Sequence, residues 1–88
     1  MNTLTQYVND MNQWNSIFGM RALDLNDDMD RVQIAQKIDS ELSPENLHCD
    51  GEISQAAAMR KLRKLNKVCA ELLKLDPSVR NQLGEYYP

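Results

Sequence analysis

The chain has 88 residues, 42% of them hydrophobic and only three of them glycine, which argues against a disordered tail and allows one small domain. Its first twenty residues contain no continuous apolar run, so we expect neither a secretory signal nor a membrane span. A net charge of −3 disfavours general nucleic-acid binding. Because two cysteines make no disulfide framework, we expect a cytoplasmic protein.

The first predicted helix starts at a capping-box pattern, Thr3-x-x-Gln6, and ends at Gly19, a residue that readily adopts the left-handed conformation. Its apolar residues recur at helical spacing and should form one buried face. These residues are Leu4, Tyr7, Val8, Met11, Trp14 and Phe18. The connection that follows, residues 20–25, carries further apolar side chains that we expect to pack beneath the bundle.

A second helix should be capped by Asn26 or Asp27, with Asp28 and Asp30 in its first turn, where the helix dipole favours negative charge. Its buried stripe is predicted to contain Met29, Val32, Ala35, Ile38 and Leu42, widened by Ile34. The acidic cluster at residues 24–30 lacks the glycine and the distal glutamate of a calcium loop, so we interpret it as helix capping. Pro44 should end the helix.

The most strongly patterned segment runs from Asp50 to Pro77 and predicts one long helix with Asp50 as its cap. Its apolar side chains lie within a narrow arc: Ala58, Leu62, Leu65, Cys69 and Leu72. About 24 residues at ~1.5 Å each make a rod of ~36 Å, so this helix should be the spine of the fold. Asp76-Pro77 should end it and begin a short fourth helix that Gly84 closes.

The sequence therefore predicts an all-α protein, a small helical bundle of three main helices plus a short C-terminal helix. Residues 1–84 should form a single helical domain and residues 85–88 a C-terminal tail. Cys69, on the apolar face, should be buried in the core. Because two shorter helices need not cover a rod of ~36 Å, self-association through the Leu62–Leu72 face is an alternative, and we weigh monomer and homodimer equally.

Sites for chemistry are poorly supported by the sequence. The segment around Asp50-Gly51 resembles the middle of an EF-hand calcium loop, but Ala57 stands where the bidentate glutamate should be. His48 and Cys49 are neighbours, which suits neither a zinc site nor a nucleophile–base pair. We therefore expect no metal, no cofactor and no enzymatic activity.

The two halves of the chain carry opposite charge. Residues 1–52 contain ten acidic and three basic side chains, a balance of −7, and residues 53–88 contain three acidic and seven basic ones, a balance of +4. The basic run falls on one face of the third helix, through Arg60, Arg63, Lys64 and Lys67. We interpret this face first as a solvated face or as a docking strip for the acidic half of the same chain.

The leading functional hypothesis is a non-catalytic protein-binding module, such as an adaptor, an inhibitor or a small regulatory subunit. Its expected contact residues are Arg60, Arg63, Lys64, Lys67, Tyr86 and Tyr87. Tyrosine is favoured at binding hot spots, and two adjacent tyrosines beyond the last helix are costly to leave in water. The alternative is a nucleic-acid-binding regulator that presents the basic face of the third helix to phosphates.

Overall fold

A computed structural model describes residues 2–43 and 55–83 of the chain. It contains three α-helices, α1 (Thr3–Ile17), α2 (Asp28–Leu42) and α3 (Gln55–Leu75), followed by a 3-10 helix at Pro77–Gln82. Helices account for 80% of the described residues and no strand occurs among them, which confirms the predicted all-α class. The predicted cap Asp50 and the tail at residues 85–88 lie outside the described part, so the domain boundary stays a prediction.

The ends of α1 show one wrong prediction and one correct one. Asn2 caps the helix, since its side-chain oxygen accepts a hydrogen bond from the Thr5 amide at 2.7 Å, and Thr3 is already inside the helix. At the other end, Gly19 has a φ of 70°, as predicted. The Gly19 amide donates to the Ser16 carbonyl and the next amide to the Asn15 carbonyl, the Schellman pattern that a left-handed residue permits.

The connection between α1 and α2 is held against α1 by asparagine side chains. Asn12 donates to the Leu23 carbonyl at 3.0 Å and accepts from the Leu23 amide at 2.8 Å, so one side chain satisfies both backbone groups. Leu23 and Leu25 pack against the core as expected, whereas Met20 is exposed, contrary to the expectation.

Asp30 fixes the same connection to the first turn of α2. Its carboxylate is only 1% exposed and accepts two hydrogen bonds from Arg21, at 2.5 and 2.9 Å, and one from the Asp24 amide at 2.8 Å. The bonds from Arg21 and the Asp24 amide lower the pKa of Asp30 to about 2. Asp27 caps the helix, as one of the two predicted candidates, by accepting from the Met29 and Asp30 amides.

The buried face of α2 is rotated from the predicted one. Met29 is exposed and Val32 only half-buried, whereas Ile34, predicted at the margin, is fully buried. Ala35, Ile38 and Leu42 are buried as predicted. Asp30 occupies the core-facing position in the first turn, where it pairs with Arg21, so the buried stripe begins at Asp30 and not at Met29.

Helix α3 is the spine, as predicted: α1, α2 and the 3-10 helix all pack against it. Its buried residues are Leu65, Val68, Cys69 and Leu72. Burial, the largest cause, raises the pKa of the Cys69 thiol to about 11. Asp76 ends α3 and caps the 3-10 helix, since its side chain accepts from the Ser78 amide, and Val79 and Leu83 close the end of the core.

Candidate functional site

The second half of α1 carries a solvent-exposed aromatic pair. Trp14 is 63% exposed and Phe18 68% exposed, and their rings stack with centroids 6.1 Å apart and planes at 15°. Ile17 and Met20 beside them are exposed as well. The prediction that Trp14 and Phe18 belong to the core is therefore wrong, while Tyr7, from the same predicted stripe, is buried.

The exposure of this pair follows from the way the helices pack. Helices α1 and α2 each lie against α3, but among the described residues they barely contact one another. The buried residues of α1, Leu4, Tyr7 and Val8, all belong to its first two turns. Farther along, no described element covers the apolar stripe, so Trp14 and Phe18 face solvent.

The space left between α1 and α2 is a groove of about 880 Å³. Its apolar lining comes from α1 and the connection, through Met11, Trp14, Phe18, Met20 and Leu23. Its polar lining includes residues of α2 and one residue of α3, Lys64. A largely apolar concave surface with a few polar groups is the ordinary form of a binding site in proteins.

The two carboxylates that line the groove, Asp10 and Glu41, each accept a hydrogen bond from a side chain of α1. The Tyr7 hydroxyl donates to the Glu41 carboxylate, which links α1 to α2, and Gln6 donates to the Asp10 carboxylate at 2.9 Å. Burial and the neighbouring Glu41 carboxylate together raise the pKa of Tyr7 well above its usual value, so this phenol stays protonated. Both carboxylates of the groove therefore already accept a hydrogen bond.

The cations of the groove differ in their partners. Arg21 is bound to Asp30, at the edge of the groove. Lys37 of α2 and Lys64 of α3 are exposed, and neither forms an ion pair or a hydrogen bond with a described residue. Two ammonium groups are thus available to a ligand on the walls of an apolar groove.

The basic face of α3 is exposed at all four predicted positions, Arg60, Arg63, Lys64 and Lys67. The acidic half of the chain does pack against α3, but ion pairs with these four residues are absent from the described part. The ion pairs of the described part include those that join Arg21 to Asp30 and Arg31 to Asp28 and Asp76. The acidic half therefore packs against α3 as predicted, but in the described part it does so without ion pairs to these four side chains.

Of the predicted site residues, Lys64 alone lines the groove, and it belongs to the basic face as well. Tyr86 and Tyr87 lie outside the described residues. Sequence reasoning missed the groove, the exposure of the aromatic pair and the role of Lys37. One signal was present in the sequence. Residues 9, 10, 12, 13, 15 and 16 are all polar, so the second half of α1 has few apolar side chains besides Met11, Ile17 and the aromatic pair.

Metal-binding patterns receive no support from the described residues. Among residues 2–43 and 55–83, no three His, Cys, Asp or Glu side chains are placed to share an ion. In the acidic cluster, Asp27 caps α2, Asp28 pairs with Arg31 at 2.6 Å, and Asp30 pairs with Arg21, in line with the capping interpretation. His48 and Cys49 lie outside the described residues.

No described helix is long and apolar enough to cross a lipid bilayer. Comparison of the chain with models of protein families, with curated protein sequences and with solved structures finds no match.

Proposed function

We propose that this chain is a non-catalytic protein-binding module, an adaptor, an inhibitor or a small regulatory subunit, that binds its partner along the groove between α1 and α2. The observation that carries the proposal is the exposed, stacked pair of Trp14 and Phe18 at the edge of an apolar groove. A contiguous exposed apolar patch of this kind marks interaction sites, and tryptophan is the residue most enriched in binding hot spots. We also place the protein in the cytoplasm, on the basis of its cysteine usage.

The size of the patch indicates how much of the surface a partner must use. Covering the exposed two thirds of two aromatic side chains removes roughly 200–330 Å² from water, since each buries about 150–250 Å² in full. At about 25 cal/mol/Å² this is worth roughly 5–8 kcal/mol. Association itself costs about 4–15 kcal/mol, so the aromatic pair alone does not hold a partner. The contact must extend into the groove and toward the basic face.

The test is co-purification from a nuclease-treated lysate of the source cell, with the wild-type chain and the double variant Trp14→Ser/Phe18→Ser. A discrete protein should be retained by the wild type and lost with the double variant. Met29→Ser is the matched control, because Met29 is equally exposed but lies outside the groove. Circular dichroism should show the same helix content for all three chains. A partner retained equally by the double variant would contradict the proposal.

A second set of variants tests the remaining contact residues. Replacing Arg60, Arg63, Lys64 and Lys67 with Glu, and separately removing residues 86–88, should each weaken the same complex. If both changes leave partner binding unaltered, the basic face and the two C-terminal tyrosines have no part in it.

The alternative, a nucleic-acid-binding regulator, is supported by the exposure of the four basic side chains and by their lack of ion pairs with described residues. It predicts that affinity falls with salt at a log–log slope of about −0.9 per phosphate contact, hence about −3.6 for four cations. A complex held by apolar contacts should be far less sensitive to salt. Recovery of nucleic acid that disappears with nuclease would favour this alternative.

The homodimer remains a prediction. Its expected interface included Leu65, Cys69 and Leu72, which are buried inside a single chain, so self-association would have to use another surface.

A further inference from the structure

Among residues 2–43 and 55–83, the position between α1 and α2 in the bundle is unoccupied. Both helices pack against α3, and the 3-10 helix packs against α2 and α3, but no described element packs between α1 and α2. Each of these helices has 15 residues, a length of about 22 Å. An added helix could lie between them and contact both, which would complete the bundle, as in the helix-in-groove mode of recognition.

The charges of the groove indicate the chemistry of such a helix. Its carboxylates, Asp10 and Glu41, already accept hydrogen bonds from the chain itself. Its lysines, Lys37 and Lys64, form no ion pair with a described residue and stand on two different helices. The positive potential continues from Lys64 along α3, whose residues 55–75 carry six basic side chains and one acidic side chain. A partner with carboxylates facing the lysines is therefore favoured.

The same groove suits a nucleic acid less well. A polyanion in the groove would bring phosphates against the two carboxylates on its walls, which repel them. A protein helix can place carboxylates only where the lysines are and apolar side chains elsewhere. A nucleic acid has a charge on every residue and does not offer that choice.

We propose that the groove binds an acidic amphipathic α-helix of a partner protein. Its apolar side chains would pack on Trp14 and Phe18, and its carboxylates would pair with Lys37 and Lys64. This inference rests on the proposed function and adds the chemistry of the partner to it.

The experiment selects peptides from a phage-displayed library of random 16-residue sequences on the immobilised full-length chain. Peptides that also bind the Trp14→Ser/Phe18→Ser variant are discarded. Enriched peptides should carry apolar residues at i, i+3 or i+4, and i+7, flanked by Glu or Asp. Trp14 is the only tryptophan of the chain, so its emission should shift to shorter wavelength when a synthetic copy of an enriched peptide binds. That titration yields the dissociation constant.

Charge reversal then tests the lysines one at a time. Lys37→Glu and Lys64→Glu should each weaken an acidic peptide about three- to tenfold, because an attraction is replaced by a repulsion on a partly exposed surface. Lys74→Glu is the matched control, since Lys74 is an exposed lysine of α3 outside the groove, and it should change the affinity less than twofold.

Each contrary result says whether this inference falls alone or together with the function on which it rests. Enrichment of basic or uncharged apolar peptides, or equal effects at Lys74 and Lys64, would overturn the acidic chemistry and leave the protein-binding module standing. A failure to enrich any peptide dependent on the aromatic pair would overturn the inference, and the co-purification experiment would still decide the function. A shift of Trp14 emission by a 12-nucleotide single strand but by no peptide would overturn both. Sedimentation of the wild-type chain could depend on its concentration while that of Trp14→Ser/Phe18→Ser does not. This result would identify a second copy of the chain as the occupant of the groove and would also overturn the inference.

Discussion

Leu72 and Leu75 provide a matched test of how α3 is buried. Both are leucines in the last two turns of the same helix, but Leu72 is 0% exposed and Leu75 is 50% exposed. Truncation to alanine removes three carbons, worth about 0.8 kcal/mol each when buried, or ~2.4 kcal/mol at Leu72 and ~1.2 kcal/mol at Leu75. The cavity left at Leu72 brings its total into the range of about 2–5 kcal/mol. The helix propensity changes equally at both positions and cancels from the comparison.

These energies are large relative to the stability of the domain. At about 0.05–0.15 kcal/mol per residue, 88 residues have a free energy of unfolding of roughly 4–13 kcal/mol. Each kcal/mol shifts the Tm of a domain this size by about 4–8 °C, so Leu72→Ala should lower the Tm by at least ~10 °C. Leu75→Ala should have no more than half of that effect.

The measurement is urea denaturation followed by circular dichroism at 222 nm, with the thermal transition as a second readout. The m-values of both variants should match that of the wild type. If Leu72→Ala does not fold, the volume-conserving Leu72→Met should fold with a loss below about 1.5 kcal/mol. Equal losses of unfolding free energy in Leu72→Ala and Leu75→Ala would refute the burial pattern of α3. They would also refute the packing of α1 and α2 that leaves the groove between them.

Three further predictions concern single residues. The pKa of Asp30 lies below its unfolded value, so its ionised form stabilises the fold above about pH 4, and this contribution is lost as the pH falls to about 2. Urea titrations should show the full loss in the wild type and in the exposed-site variant Asp28→Asn. The loss should be smaller in Asp30→Asn, in which Asp76, whose pKa is also lowered, still contributes; an equal loss in all three chains would contradict the role of Asp30. Cys69 is buried and its pKa is raised to about 11, so it should react with iodoacetamide at pH 8 only under unfolding conditions. Mass spectrometry of a Cys49→Ser chain can follow the reaction, and rapid alkylation of the native chain would contradict the burial of Cys69. Gly19→Ala should lower the free energy of unfolding by about 1–2 kcal/mol. The cause would be backbone strain alone, since no atom lies within 4 Å of the added methyl group. An unchanged urea midpoint would contradict the left-handed turn.

Local signals predicted the elements of this fold well because each one acts within a few residues of the chain. Asp27 and Asp76 cap helices, and Gly19 ends α1. The apolar arc of α3 is buried at Leu65, Cys69 and Leu72 and half-buried at Ala58 and Leu62. The start of α1 was misplaced by one residue because Asn2 and Thr3 are both good caps, and Asn2 makes the bond. Caps of similar strength at adjacent positions are not separated by propensity alone.

Burial at the two wrongly predicted faces depends on distant partners. Helical spacing places Trp14 and Phe18 on the same face as Tyr7, but whether another helix covers that face depends on where α2 lies. In α2 the periodicity allows two adjacent stripes, one through Met29 and one through Asp30. The second is adopted because Arg21, nine residues earlier, satisfies the carboxylate. A hydrophobicity pattern contains no information about such a partner.

The same long-range contacts explain why the groove is suited to binding. Its edge at Met20 and Leu23 belongs to a connection, and exposed connections ordinarily lose entropy when a partner orders them. Here Asn12 binds both backbone groups of Leu23, and Arg21 is bound to a carboxylate of α2 at both of its terminal nitrogens. The connection is therefore fixed to α1 at one point and to α2 at another before any partner arrives. Because that order is already present in the free chain, more of the free energy from covering the aromatic pair remains as affinity.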